Sequence, residues 1–267
     1  MFVVRRSHHN PVLVPEHTHP WEGMATFNWS LARKYKTLHA FYRAMSLPDP
    51  LGVPQSISSI GHAESVDGYH FENREQFIKP EEEWEKYGCE DPRVSEFEGS
   101  YYIFYTALSK YPFVPEGIKI GLAKSGDLSK VDEKHPITPF NSKAMALFPE
   151  RVGGPASAQD SGGQGKMTVI FSAHTDGAAA KLAIAQMDRE EDLWSENFWN
   201  EWHAKLDEHV INLRRGDNDQ VEVGAPPIKT DRGWLLIYSH IQNYFGGGER
   251  IFGVEAALLD LEDPRKI

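Results

Sequence analysis

Tyr102-Ile103-Phe104-Tyr105, followed after a loop by Ile120-Gly121-Leu122-Ala123, is the clearest copy of a pattern that decides the fold of this chain. The aromatic member recurs as His39-Ala40-Phe41-Tyr42, Thr168-Val169-Ile170-Phe171 and Leu235-Leu236-Ile237-Tyr238. The small-residue member recurs as Ile60-Gly61-His62-Ala63, Leu182-Ala183-Ile184-Ala185 and Phe252-Gly253-Val254-Glu255. The copies start at positions 39, 102, 168 and 235, a period of about 65 residues. Three units add a proline-bearing stretch upstream: Asp91-Pro92-Arg93-Val94, Phe148-Pro149-Glu150-Arg151 and Ala225-Pro226-Pro227-Ile228. Short strands repeating at a fixed interval, three or four to a unit, are the signature of propeller blades set around an axis. The expectation is an all-β protein with about four blades and its function on that axis.

Elsewhere apolar and polar residues alternate over short runs bounded by Gly, Pro, Asp and Asn, which is strand grammar. One helix is expected over 189–206, where Trp194, Phe198, Trp199 and Trp202 fall at spacings near three and four. The Gly- and Ser-rich stretch 153–166 reads as an inserted hairpin tip, and residues 1–267 as a single domain.

With 28 basic against 39 acidic residues, the net charge of -11 disfavours nucleic acid or an anionic membrane as partner. No apolar run approaches the ~18 residues of a membrane span, and no apolar signal core follows residues 1–6, so a cytoplasmic location is expected. The single Cys89 excludes an internal disulfide. His8, His9, His17 and His19 lack a third ligand at a motif spacing, so no metal is expected. Gly246-Gly247-Gly248 lacks the Lys and helix start of a phosphate loop, and no Gly-x-Ser-x-Gly elbow occurs.

If the proline-bearing stretches open the innermost strand of each blade, Glu90 and Asp91, Glu150 and Glu222 converge on one mouth of the channel. Glu255 stands where two other blades carry Ala63 and Ala123, a costly exchange in a packed repeat unless the site is polar. Carboxylates from different blades around one channel make an acid and base pair for glycosidic cleavage. The plain alternative is structural: Glu90 and Arg93 as an ion pair, Asp91 before Pro92 as a turn element.

Asn10-Pro11-Val12-Leu13, Phe27-Asn28, Tyr42-Arg43, Gly88-Cys89-Glu90-Asp91-Pro92-Arg93-Val94, Phe148-Pro149-Glu150, Gly224-Ala225-Pro226-Pro227-Ile228 and Ala257-Leu258-Leu259-Asp260-Leu261 resemble, in this order, glycoside hydrolase family 130. That family comprises β-mannoside phosphorylases and β-1,2-mannosidases on a five-bladed propeller. The resemblance therefore implies that the region supplying the last blade is missing, a C-terminal truncation. It implies Asp91 as the general acid of an inverting reaction, its proton relayed through a sugar hydroxyl, with Asn28 and Arg43 on the mannose.

The sequence departs from the family's phosphate-holding pattern. Glu222 stands where a Lys is expected, Tyr238-Ser239-His240 where Tyr-His-Gly is expected, and Ser172-Ala173-His174-Thr175-Asp176 lacks an Arg. A carboxylate there repels phosphate and offers a base for water. The expected activity is thus hydrolysis of β-1,2-linked mannosides, with Glu222 and Glu255 as base candidates. Glu90, Arg93, Lys143, Glu150, His174, Tyr238 and His240 are further candidates for substrate contact. The alternative, supported by Lys143, is phosphorolysis with inorganic phosphate as co-substrate; a second is a non-catalytic sugar-binding propeller. No cofactor is expected, the partner is a β-mannoside oligosaccharide, and a homo-oligomer is compatible with the chain.

Overall fold

The four repeated units fold as four antiparallel sheets arranged as propeller blades. The computed structural model describes residues 5, 7–153, 165–176 and 180–267. Blade 1 is β1 (Ala25–Lys34), β2 (Thr37–Met45), β3 (Ser58–Ser65) and β4 (Glu72–Ile78), in that spatial order. Blade 2 is β5 (Cys89–Phe97), β6 (Ser100–Leu108), β7 (Ile118–Ser125) and β8 (Glu133–Pro136). Blade 3 is β9 (Ser142–Leu147), β10 (Met167–Ala173), β11 (Lys181–Met187) and β12 (Val210–Ile211). In blade 4, β15 (Gly233–Gln242) pairs on one side with β16 (Ile251–Leu259) and on the other with β13 (Gln220–Val223) and β14 (Ile228–Thr230). Pro226 and Pro227 break that inner strand because they have no N–H to donate to the ladder.

The aromatic stretches are the second strands and the small-residue stretches the third, and their register explains the pattern. Tyr42 stands opposite Gly61, Tyr105 opposite Gly121, Phe171 opposite Ala183 and Tyr238 opposite Glu255. A Cβ at Gly61 would lie 2.5 Å from the Tyr42 ring and 2.8 Å from Trp21; one at Gly121 would lie 2.6 Å from Trp84 and 2.7 Å from Tyr105. Only glycine lets the ring lie across the neighbouring strand. The hydroxyl so positioned meets a buried carboxylate: Tyr42 donates to Glu22 at 2.8 Å and Tyr105 donates to Glu85. Both carboxylates are inaccessible to solvent, and a cation from the outermost strand joins each, Arg74 at Glu22 and Lys134 at Glu85. A Trp-Glu pair ahead of the inner strand thus clamps each of the first two blades across its width. Tyr105→Phe, which leaves Glu85 a buried acceptor short of a donor, is expected to cost ~1–3 kcal/mol in urea unfolding, with the exposed Tyr111→Phe as a near-neutral control.

Three hydrophobic cores hold the blades together in sequence. Phe41, Ile60, Val94 and Ile103 pack between blades 1 and 2. Phe104, Leu122, Leu147 and Val169 pack between blades 2 and 3, and Ala146, Ile170, Val223 and Leu236 between blades 3 and 4. The opposite side of blade 1 is covered by Val12, Leu13 and Trp21, whereas blade 4 leaves Phe252 at 70% and Val254 at 81% exposure.

The helix expected over 189–206 is broken into three pieces: 3-10 turns at Glu190–Trp194 and Leu206–His209, and an α-helix, α1, at Glu196–His203. Ser195 restarts the chain as N-cap, its hydroxyl accepting from the Phe198 N–H at 3.3 Å. The segment is also less peripheral than expected, because Trp199 and Trp202 are buried in the core between blades 2 and 3. Of the expected hairpin tip, 154–164 lies outside the described residues; its base is a bridge between Val152 and Lys166.

Candidate active site

Each of the first three inner strands carries an extra residue at the same place. The ladder slips between Phe27 and Ser30 in β1, between Glu90 and Arg93 in β5, and between Ala146 and Lys143 in β9. The residue after Phe27, Glu90 and Lys143 has positive φ in every case: Asn28 at 48°, Asp91 at 53° and Ala144 at 57°. Such bulges re-aim a side chain at the cost of local strain, and Asn and Asp tolerate the left-handed region better than most residues. In blade 4 the break after β13 plays the same part, the Gly224 and Ala225 amides both reaching the Ile237 carbonyl at 3.0 and 3.3 Å.

These bulges bring Asn28 and Asp91 together at the axis. Asn28 Nδ2 donates to Asp91 Oδ1 at 2.9 Å. Arg43, on β2, reaches Asp91 Oδ1 at 3.5 Å and forms an ion pair with Glu90. Ser58 links the last two, accepting from Arg43 Nε at 3.1 Å and donating to Glu90 at 3.2 Å. Burial pushes the Glu90 carboxyl above its ordinary range, and the Arg43 guanidinium pulls it back. Glu90 therefore anchors Arg43, and Arg43 with Asn28 orients Asp91.

Asp91 opens into a cavity of about 240 Å³ shared with Asn28, Trp29, Arg93, Glu222, Gly224, Ser239 and Phe252. Glu222 is the second carboxylate in it. Burial pushes its carboxyl up; Arg93 opposes this, and Asp91 adds to it. Arg93 is itself only 9% exposed and ties blade 2 to blade 4, its Nε donating to the Val223 carbonyl at 3.1 Å and its Nη1 to the Asp91 carbonyl at 3.0 Å. Its donors are engaged by backbone, so it holds the two carboxylate-bearing strands at a set separation. Lys143 Nζ donates to Asp176 Oδ1 at 3.4 Å, and both groups act electrostatically on Glu222.

Several expected site residues lie elsewhere. Glu222 is opposite Ser239 and Glu255 opposite Tyr238, one position apart on β15, so their side chains leave opposite faces of blade 4. Glu255 accepts from the Tyr238 hydroxyl at 3.1 Å and pairs with Arg215 at 2.5 Å, with His240 Nδ1 at 3.6 Å. It takes the acceptor role that Glu22 and Glu85 take in the first two blades, half-buried beside Tyr238 and His240, which are buried on the side facing blade 3. By strand register its counterparts are Gly61 and Gly121, not Ala63 and Ala123.

The expectation that Glu150 shares the mouth with Asp91 is corrected. Lys143-Ala144 occupies the bulge position in blade 3, and Phe148-Pro149-Glu150 follows the end of β9. There Glu150 pairs with Lys229, while the adjacent Arg151 reaches Glu98 in the turn between β5 and β6, the end of that hairpin away from Asp91. His174 follows β10, its Nε2 3.0 Å from His203 Nε2, at the edge of a second, larger cavity. Trp29, Ser239, Phe252 and Asp176 were not expected as site residues, since no motif marks which strand faces the channel.

A propeller axis lined by carboxylates from two blades suits a glycoside-processing enzyme. The chain belongs to glycoside hydrolase family 130, whose model, described as beta-1,4-mannooligosaccharide phosphorylase, matches residues 4–267. The family acts on β-mannosides. A 1,2-beta-oligomannan phosphorylase of Thermoanaerobacter sp. (strain X514) is 30% identical over 268 residues, covering 100% of this chain and 80% of the relative. A beta-1,2-mannobiose phosphorylase from the same strain is 27% identical over 279 residues, with the same coverage. Among solved structures, the beta-1,2-mannobiose phosphorylase of Listeria innocua, in complex with beta-1,2-mannobiose, superposes with a TM-score of 0.69 at 22% identity, over 98% of this chain and 80% of that one. That likeness supports the propeller fold.

Proposed function

We propose that this protein hydrolyses β-1,2-linked mannosides with inversion, Asp91 acting as general acid and Glu222 as general base. The observation that carries this is the composition of the Asp91 cavity: a second carboxylate, Glu222, faces into it, and each nearby cation among the described residues already has a partner. Arg43 is held by Glu90 and Asp91, Arg93 by backbone carbonyls and Lys143 by Asp176. A phosphate dianion needs free, clustered donors, whereas water needs a base.

In the proposed reaction the Glu222 carboxylate removes a proton from water as its oxygen attacks the anomeric carbon. The bond to the leaving sugar breaks on the opposite face, and Asp91 supplies the proton that the departing oxygen takes up, directly or through a sugar hydroxyl. The products are mannose of inverted configuration and a sugar one unit shorter. The β-1,2 linkage is supported by the two phosphorylase relatives above, both named for it.

The test is incubation with β-1,2-mannobiose, with and without inorganic phosphate. Free mannose should appear at the same rate in both. The second reading is phosphorolysis, favoured by the names of those relatives; mannose 1-phosphate, or a strict requirement for phosphate, would establish it and end the hydrolytic one.

The pH profile offers a further check. A base works only when deprotonated, so activity falls as pH drops through its pKa. Because burial raises the Glu222 carboxyl, the acidic limb of kcat/KM should lie above the ordinary glutamate value of 4.5.

A further inference from the structure

His8, His9 and His17, near the start of the chain, join no metal-ligating cluster among the described residues. Two other histidines do. His39 on β2 and His62 on β3 are only 6% and 3% exposed, on the face of blade 1 that packs toward blade 2. His62 lies against Phe41 and Phe77, with ring centroids 5.0 and 5.4 Å away. Glu64 stands opposite His39 and two residues along β3 from His62, so all three side chains leave the same face. His39 Nδ1 is 2.9 Å from His62 Nε2 and 3.7 Å from Glu64 Oε1, and the three atoms lie within 4.8 Å of one another. The neighbouring blade shows what this place holds otherwise. Setting Tyr42–Gly61 on Tyr105–Gly121 matches His39 with Tyr102, His62 with Leu122 and Glu64 with Lys124. Leu122 is buried among apolar side chains, and Tyr102 and Lys124 both bind Glu190. Blade 1 thus exchanges a core leucine for an imidazole, which costs free energy unless the ring nitrogens are partnered.

The partners present orient lone pairs toward one point. His62 Nδ1 is 3.0 Å from Glu75 Oε1; a carboxylate there accepts the ring N–H, which leaves Nε2 with its lone pair toward His39 and Glu64. Asn73 Nδ2 donates to Glu64 Oε2 at 2.8 Å and leaves Oε1 to face the imidazoles. A carboxylate behind a histidine, and a hydrogen bond behind a ligating carboxylate, are the outer supports that metal ligands use. Tetrahedral zinc, bonded at ~2.0–2.1 Å, sets its ligand atoms ~3.3 Å apart. The spacings of 2.9 and 3.7 Å straddle that value, so small side-chain shifts close the site. The other such group, Glu16, His19 and Glu22, is weaker, because Glu22 is already taken by Tyr42 and Arg74.

We propose that His39 Nδ1, His62 Nε2 and Glu64 Oε1 bind a zinc ion, with water in the fourth place, as a brace tying β2 to β3 where blade 1 meets blade 2. None of the three lines the Asp91 cavity, so the site is structural and stands apart from the hydrolytic reading. The test uses the full chain, stripped with EDTA, then titrated calorimetrically with zinc and melted with and without it. One ion per chain should bind at this site, and Tm should rise because the ion binds the folded state. Cobalt(II) in its place should give the visible absorption of a tetrahedral site. Glu64→Gln, and Glu75→Ala behind His62, should each weaken binding by about tenfold or more. Their side chains are 35% and 51% exposed, so both variants keep the fold. His62→Leu installs the residue type that blade 2 carries and should abolish binding, whereas the exposed pair His8→Ala and His9→Ala should leave it unchanged. Absence of saturable zinc binding, or an affinity that Glu64→Gln and His62→Leu leave intact, would overturn the inference. Loss of binding with His8 and His9 would overturn it as well, by placing the ion at the exposed histidines.

Discussion

Asp91→Asn is expected to lower turnover of β-1,2-mannobiose by roughly a hundredfold or more, the usual scale for losing a general acid. The fold should survive, because Asn is the same size and accepts the left-handed conformation that the β5 bulge imposes at φ 53°. Sugar affinity should also survive, since the Asp91 carboxylate is held in place by Asn28 and Arg43 rather than holding other parts of the site. A substrate with an activated leaving group, such as an aryl β-mannoside, needs less protonation and should recover much of the lost rate. If Asp91→Asn turns over unactivated mannobiose at near-parental rate, another residue is the acid.

Glu222→Gln is expected to abolish hydrolysis to a comparable extent, roughly a hundredfold or more, and to do so without lowering stability. A neutral amide cannot accept the water proton, so the acidic limb of the pH profile should vanish with the rate. The stability follows from linkage. A carboxyl whose folded-state pKa is raised binds its proton more tightly in the native protein than in the unfolded chain. Its favourable contribution is present below the unfolded pKa and is lost as pH rises through the folded one. Near neutrality the charged form is therefore a burden on the native state, and a thermal melt of Glu222→Gln should show an unchanged or higher Tm. A marked fall in Tm would show that Glu222 is a structural partner of Arg93 and not a base kept at an energetic cost for catalysis. Glu255→Gln provides the contrast: it sits with Tyr238, Arg215 and His240 on the other face of blade 4. It should affect stability more than the chemical step.

The blades were legible because their signal is local. Tyr42 against Gly61 and Tyr105 against Gly121 repeat at a fixed interval, and a strand's alternation is written in consecutive residues. The pairing of Glu90-Asp91 with Arg43 and Asn28 could be anticipated only through likeness to known enzymes, since 63 positions separate Asn28 from Asp91. Phase was harder. In blade 3 the proline of Phe148-Pro149-Glu150 invited alignment with Asp91-Pro92, yet the bulge falls at Ala144, so Glu150 sits at the wrong end of its blade. In blade 4 a slip of two residues put Glu255 beside the wrong counterpart, and it is register, fixed by hydrogen bonding between strands, that decides such a slip.

By itself, then, the sequence determined a repeating all-β architecture, and through its resemblance to a known family it pointed to Asp91 as the candidate acid. Tertiary structure alone decided which carboxylate joins it. Glu222 and Glu255 are alike in type and both lie on blade 4, but side chains one register position apart leave a sheet on opposite faces. One face looks into the Asp91 cavity and the other into the core against blade 3, and that distinction exists only once the strands are paired.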